Sequence, residues 1–491
     1  MQWGPLSIAV VRKSETEVLR ILTNNPDAIS EENERGQGPL HLSCNWPRGM
    51  SLLLQFGGTK VINRCDNLSL LPLYYACTVR CIETVQLLLE ADSAFFSTGE
   101  SAYHGLGDVL QRAVAYHPDT LLPLLIPALV NRRNRLQQLA FKHLPERLYN
   151  SLGICPDRIL DKQAYQTYMA LTDNGVLVPA SLTCSNRIQT VYHNPLTPRS
   201  AEMLYDAGFL DIDELDFRRV TPLMHFNVWA RGEYSLYLPW LLGKGARIDC
   251  ILPRLKAGDS KCMIVHQLAW RLGTSFFDVH FRQRNEQSLN QDVALSRFWL
   301  YPEQLRNVLA EILVKPIFDE CVCSCSNNGC CPATKFLLGS SMWTRDSKCN
   351  VQQVRLWFID WILGYIEKVG DCDDAPDWLL AEIIRFETFS KLGLTHTCRD
   401  MQLLHWDARP YYECFSHEEI EEIREEECLM IAQLDDLVVE FVAKCTELGV
   451  SLLEFFEGYW EDRMEEVLDE SGSVDEEGVR RLTELGVVLE K

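Results

Sequence analysis

Three short stretches in the first hundred residues are one phrase written three times: Gly4-Pro5-Leu6-Ser7-Ile8-Ala9, Gly38-Pro39-Leu40-His41-Leu42-Ser43-Cys44 and Leu71-Pro72-Leu73-Tyr74-Tyr75-Ala76-Cys77. Their prolines lie 34 and then 33 residues apart. A fixed period of this length means stacked units, each too small to bury its own apolar face. Proline suits the first position of a helix, where its missing N–H would have no partner anyway. Each phrase is followed by a second apolar run: Val18 to Leu22, Ser51 to Leu54, and Val85 to Leu89. The unit is therefore a helix pair, and the chain an all-α solenoid in which short hairpins join successive pairs.

The spacing and the phrase resemble the ankyrin repeat, whose first helix opens with Thr-Pro-Leu-His. Val220-Thr221-Pro222-Leu223-Met224 keeps the threonine and the second copy keeps the histidine, His41. Trp240 to Asp249 matches the Leu-Leu-x-x-Gly-Ala-Asp ending of that repeat. Fainter units are expected at Arg135 to Pro145, at Val191-Tyr192-His193 with Ala201 to Gly208, and at Val265 to Ala269. As a whole the chain is similar to a group of fungal ankyrin-type proteins. The resemblance implies an array over residues 1–275; the cysteine run and the charge then divide the rest into a cysteine-bearing helical extension over 276–412 and an acidic helical cap over 413–491. The resemblance also implies a protein–protein interaction scaffold; the cysteine usage and missing export signal make it intracellular, cytoplasmic or nuclear, and the missing catalytic motifs leave it no catalysis of its own. The partner would meet the hairpins and first helices around Asp66, Tyr74 and Tyr75, and around Asp216 and Met224. The first phrase begins almost at Met1, so either the first unit is poorly capped or the start lies upstream.

Charge narrows the partners. The chain carries a net −22, and residues 413–491 hold 25 acidic against 6 basic residues, a net −19. Phosphate neutralisation needs Lys and Arg, so nucleic acid is disfavoured, as are anionic membranes. No apolar run reaches the length of a membrane span, and no basic region followed by an apolar core opens the chain. The acidic region reads as helical: Ser416-His417-Glu418-Glu419 is a capping box. Ile423, Met430, Leu434, Leu437 and Phe441 then recur at helical spacing up to a stop at Gly449. This predicts one helix of about 30 residues. Leu452, Phe455, Phe456, Tyr459, Trp460 and Met464 form a second stripe, expected to be core. A hinge at Ser471-Gly472-Ser473 and a weaker last helix are expected after it. Two more helices are expected between these regions, one capped by Asn350 and one opened by Pro376.

Nineteen cysteines without an export signal point to a reducing compartment and thiols rather than a disulfide frame. Five of them, Cys321, Cys323, Cys325, Cys330 and Cys331, fall within eleven residues around the turn Ser326-Asn327-Asn328-Gly329. Gly329 precedes Pro332 by three residues, as Gly36 precedes Pro39, so the run occupies a hairpin between repeats. Alternate residues of an extended strand share a face, which lets Cys321, Cys323 and Cys325 converge. Two readings stand. One is a structural zinc, with His396 or Cys398 of Thr395-His396-Thr397-Cys398 completing the shell. The other is a set of reduced thiols, some buried as small apolar groups, with redox sensing a third use. A metal- or redox-responsive regulator is thus the alternative to a plain scaffold. No His-Glu-x-x-His, Gly-x-Ser-x-Gly or phosphate-loop motif occurs, and His41, His193, His225 and His266 fall in first helices, where structural hydrogen bonding explains them.

Overall fold

The computed structural model describes residues 3–96, 109–116, 118–184, 189–194, 196–216, 220–225, 236–250, 263–281, 303–341, 355–356, 359–360, 363–364, 377–398 and 415–472. Among these the architecture is all-α with no strand. The chain divides into two compact units, residues 1–246 and 247–491.

In the first unit, helix pairs follow each other as the period requires: α1 (Pro5–Val11) with α2 (Glu15–Asn24), α3 (Pro39–Leu42) with α4 (Pro47–Gln55), and α5 (Pro72–Thr78) with α6 (Ile82–Glu90). Each proline sits in the first turn, and Leu6, Leu40 and Leu73 behind it are buried. The turns between pairs share one device. The N–H of Asn33 donates to the carbonyl of Gln37, and its Oδ1 accepts from the N–H groups of Arg35 and Gln37. Asp66 does the same with Leu70, its Oδ1 accepting from Leu68 and Leu70 at 2.9 Å each. Asp216 repeats it with Val220. In all three turns a proline-led helix begins two residues later.

A histidine ladder locks neighbouring units. The Nδ1 of His41 accepts from the Gly38 N–H at 3.1 Å, which leaves Nε2 to donate to the Leu70 carbonyl at 3.2 Å. His193 accepts from Thr190 at 3.1 Å and reaches the Val220 carbonyl at 2.9 Å. Burial pushes the His41 pKa down, which suits a neutral ring spending both nitrogens on backbone. The side chain of His225 lies outside the described residues.

The expected short helix at Arg135 belongs instead to α8 (Pro118–His143), which follows α7 (Val109–Tyr116) and contains Pro123 and Pro127. Both prolines are exposed, so the carbonyls they leave unbonded face water. The opposite face buries Leu122, Ile126, Leu129, Leu136 and Ala140, and that continuous stripe carries the helix through. The unit continues through α9 (Glu146–Ser151), α10 (Ala164–Asp173), α11 (Pro198–Asp206) and α12 (Tyr237–Gly243).

Asp161 is buried in this unit, its carboxylate accepting the Val191 N–H on both oxygens at 3.1 and 3.2 Å. Desolvation, with Asp211 adding to it against the pull of Arg133 and the Val191 bond, pushes its pKa up to about 8. The folded form therefore holds this proton more tightly than the unfolded form. The resulting stability is fully present below about pH 4 and is lost as pH rises through about 8. Asp161→Asn keeps an acceptor without the charge. Its stability relative to the parent is expected to grow steadily from pH 5 to pH 8.5, read as urea midpoints. A pH-independent difference would refute the assignment.

The second unit contains α13 (Ile264–Phe281), α14 (Glu303–Leu313), α15 (Pro332–Ser341), α16 (Asp377–Lys391), α17 (His417–Glu426), α18 (Cys428–Leu448), α19 (Leu452–Phe455) and α20 (Glu461–Gly472). α13 and α15 cross with a glycine on each helix beneath the backbone of the other, Gly273 against Phe336 and Gly339 against Trp270. The Ser416 capping box forms as read. The single long helix does not: it breaks at Glu427 between α17 and α18. α17 buries none of its residues, whereas α18 buries Leu434, Leu437, Phe441 and Cys445. Gly449, at φ 59°, ends α18. The stripe is core at Leu452, Phe455, Phe456, Trp460 and Met464, the last four at most 1% exposed; Tyr459 is only partly buried, its hydroxyl donating to Glu440 at 2.7 Å. α20 runs through Gly472; the expected last helix, and the caps at Asn350 and Pro376, lie outside the described residues. No helix among the described residues is long and apolar enough to cross a membrane.

Candidate metal centre

The cysteine run forms on the same turn device as the other repeats, enlarged. The Asp319 N–H donates to the Cys330 carbonyl at 3.1 Å, and Asp319 Oδ1 accepts from the N–H groups of Cys321 at 3.0 Å and Cys330 at 2.7 Å. The aspartate and its closing partner are four residues apart in the turn of Asp66 and eleven apart here. The extra seven residues carry Cys323 and Cys325. Gly329 stands at φ +93°, where a Cβ would collide with the Asp319 backbone, so only glycine closes this loop. Pro332 then opens α15, as proline does elsewhere.

A second segment meets this hairpin. α16 stops at Gly393, φ +75°, where the Leu394 N–H returns to the Phe389 carbonyl at 3.3 Å. That stop turns Thr395-His396-Thr397-Cys398 back toward the cysteines. The His396 ring packs against Phe389 and Phe386, with centroids 4.5 and 5.2 Å apart.

Cys323, Cys325, His396 and Cys398 come together with ligand atoms all within 4.8 Å of one another, and all four residues are buried. Cys321, Cys330 and Cys398 form a second group by the same measure. The Cys325 Sγ is 3.6 Å from that of Cys398 and 3.7 Å from that of Cys330; the Cys398 Sγ is 3.8 Å from His396 Nδ1. For Zn–S bonds of about 2.3 Å, the edge of a tetrahedral thiolate shell is about 3.8 Å. The donor set and its spacing fit a structural zinc. Cys331 belongs to neither group; its Sγ faces the Thr334 hydroxyl at 3.1 Å. No disulfide links the described cysteines.

The thiols share protons strongly. Hydrogen bonds from Cys325 and Cys398 hold the Cys323 thiol well below its usual range, and bonds from Cys321 and Cys325 do so for Cys330. Donation to Cys323 and Cys330 pushes Cys325 up, and Cys398 is pushed up by Cys321 and Cys323 first. Ionising every sulfur at once in this volume demands positive charge. Lys335, 2% exposed, lies against Asp319 Oδ2 at 3.0 Å and feels the field of Cys330 and Cys398.

A guanidinium helps tie the hairpin to its surroundings. Arg385 of α16 donates from Nε to the Ser324 carbonyl at 2.9 Å and from Nη1 to Asp435 of α18 at 2.7 Å. One buried side chain thus links the cysteine loop to the acidic helices. Nothing in the local sequence announced Arg385, Lys335 or Asp319. An acidic residue eleven positions before Cys330 was the only trace, and it shows only once the other turns are aligned on their capping Asx.

The residues expected to meet a partner lie in the first unit. Asp66, Tyr74, Asp216 and Met224 are buried and Tyr75 is half-buried. Asp66 Oδ2 accepts from the Tyr75 hydroxyl at 2.6 Å, and Gln37 donates to the same hydroxyl at 2.9 Å. Burial and that bond push the tyrosine up to about 12. These side chains shape the hairpin; Leu68, 62% exposed at its tip, is what it presents to solvent.

The described residues thus define an all-helical, repeat-like protein bearing a cysteine–histidine cluster. No protein-family model and no curated protein matches the chain. Among solved structures it is similar to the crystallised ankyrin repeat domain of Bcl-3, a member of the IkappaB protein family, at 20% identity, over 49% of this chain and 98% of that one. The TM-score is 0.25, below that of a shared fold.

Proposed function

We propose that this chain is an intracellular protein-interaction scaffold, an ankyrin-like array without catalytic activity, whose C-terminal unit is stapled by structural zinc and is therefore responsive to metal supply or thiol oxidation. The observation that carries the metal part is the buried Cys323, Cys325, His396 and Cys398 set, delivered by two segments 73 residues apart at Cys325 and Cys398. A metal bound only in the folded state stabilises it by its binding free energy. Through Arg385 and Asp435, loosening the cysteine hairpin would reach the acidic helices, which gives metal or oxidant a route to alter their docking.

The array part is supported by the repeated Asx turn, the proline-led helices and the histidine ladder. In this reading the array spans 1–275, the extension 276–412 and the acidic cap 413–491. A protein partner would meet the hairpin tips shaped by Asp66, Tyr74 and Tyr75 and by Asp216 and Met224. The acidic region turns away nucleic acid and anionic membranes. Against an enzyme, the sequence carries no His-Glu-x-x-His, Gly-x-Ser-x-Gly or phosphate-loop motif.

Purification under reducing conditions, elemental mass spectrometry and melting with and without a chelator test the staple. Bound zinc, and a melting midpoint lowered several degrees by chelator, are expected. A chain that carries no metal and melts identically with chelator would reduce the cluster to ordinary thiols.

A further inference from the structure

We propose that the cluster holds two divalent ions rather than one, sharing Cys398 and Cys325 as bridging thiolates, with Cys323 and His396 terminal on one ion and Cys321 and Cys330 terminal on the other. The inference rests on the zinc reading above and deepens it. The two ligand groups are not alternatives for one ion: they share only Cys398. A single tetrahedral ion has four positions, so filling the first group leaves Cys321 and Cys330, beside Cys398, outside that ion's shell.

Cys325 supplies what the second group lacks. Its Sγ is 3.7 Å from Cys330 and 3.6 Å from Cys398, both close to the edge of a thiolate shell. Six donors can fill eight positions only if two of them bridge. Cys398 belongs to both groups, and Cys325, a member of the first, lies 3.7 Å from Cys330 of the second; these two are placed to bridge, and a thiolate has lone pairs enough to bind two ions. Five thiolates and a neutral imidazole around two doubly charged ions leave one net negative charge, against five for the bare thiolates. The buried Lys335 ammonium, paired with Asp319 at 3.0 Å, feels the field of Cys330 and Cys398 and eases that residual charge without cancelling it. The Asp319 carboxylate holds the Cys321 and Cys330 N–H groups, fixing both terminal ligands of the second ion.

The experiment is stoichiometry on the full chain. Zinc per chain is measured by native and elemental mass spectrometry, and the stripped protein is titrated with Co2+ while thiolate charge-transfer absorption and the high-spin EPR signal are followed. Two zinc per chain is expected. The EPR signal should grow with the first Co2+ equivalent and fall with the second, as bridging sulfurs couple the spins. Cys321→Ser, at a terminal and partly exposed position, should retain one ion, and Cys331→Ser should retain two. If Cys321→Ser fails to fold, the parent titration still decides. One ion per chain, unchanged in Cys321→Ser, overturns the two-ion centre and leaves the single staple standing. No ion at all overturns both. Two ions with an EPR signal that simply doubles would place them on separate, unbridged sites and overturn the bridging.

Discussion

Gly339→Val is expected to cost the C-terminal unit more than any other single change in α15. A Cβ at Gly339 would lie far inside contact with the Trp270 carbonyl, and one at Gly273 would do the same to the Phe336 carbonyl. What each new side chain meets is helix backbone, not the end of a flexible side chain, so relief requires the two helices to separate. Overpacking a core costs typically about 1–3 kcal/mol when neighbours can give way; here the loss should reach or exceed the top of that range. Gly364→Ala is the control, because a Cβ there meets nothing within 4 Å among the described residues. Denaturant midpoints should drop sharply for Gly339→Val and Gly273→Val and barely move for Gly364→Ala. A normal midpoint in either valine variant would mean that α13 and α15 do not cross at these glycines.

Trp460→Ala should destabilise the same unit by about 3–5 kcal/mol, the usual cost of emptying a large aromatic site. Trp460 is fully buried, with Phe456 and Phe441 at ring-centroid distances of 5.0 and 6.4 Å. Its Nε1–H donates to the Thr388 hydroxyl of α16 at 3.0 Å, and that hydroxyl donates onward to the Ile384 carbonyl. Trp460→Phe separates the contributions: it keeps much of the apolar volume and drops the hydrogen bond, so about 1 kcal/mol of its loss belongs to that bond and the rest to the smaller ring. Equal losses in the two variants would show that packing volume is not what this side chain supplies. Because Thr388 sits on the helix that presents His396 and Cys398, metal content in Trp460→Ala also reports whether the aromatic core supports the cluster.

Much of the architecture was legible because helix formation and capping are local. Proline at the first helical position, apolar residues at helical spacing and the Ser416-x-x-Glu419 box each act within one or two turns of chain, so their patterns predict helices directly. The cysteine hairpin was legible for the same reason: Gly329 and Pro332 stand as Gly36 and Pro39 do. The errors have a common cause as well. Arg135 to Ala140 reads as a short first helix on its own, and only the buried stripe beneath exposed Pro123 and Pro127 extends it into α8. The long acidic helix breaks at Glu427 because its first half buries nothing while its second half packs on α16. Periodicity alone does not distinguish those two situations.

The partition at the cluster is sharper still. By itself the sequence determined the donor types, their crowding around a turn and the helix stop at Gly393, since these follow from residue chemistry and backbone φ. Tertiary structure alone decided which sulfurs meet. It turned Cys331 toward Thr334, set Cys398 beside both groups, and drew Asp319, Lys335 and Arg385 in from positions with no motif of their own. The physical reason is range. Capping and periodicity act over a few residues of chain, whereas a ligand shell and its charge balance are set by distances of 3–4 Å between segments that only packing brings together.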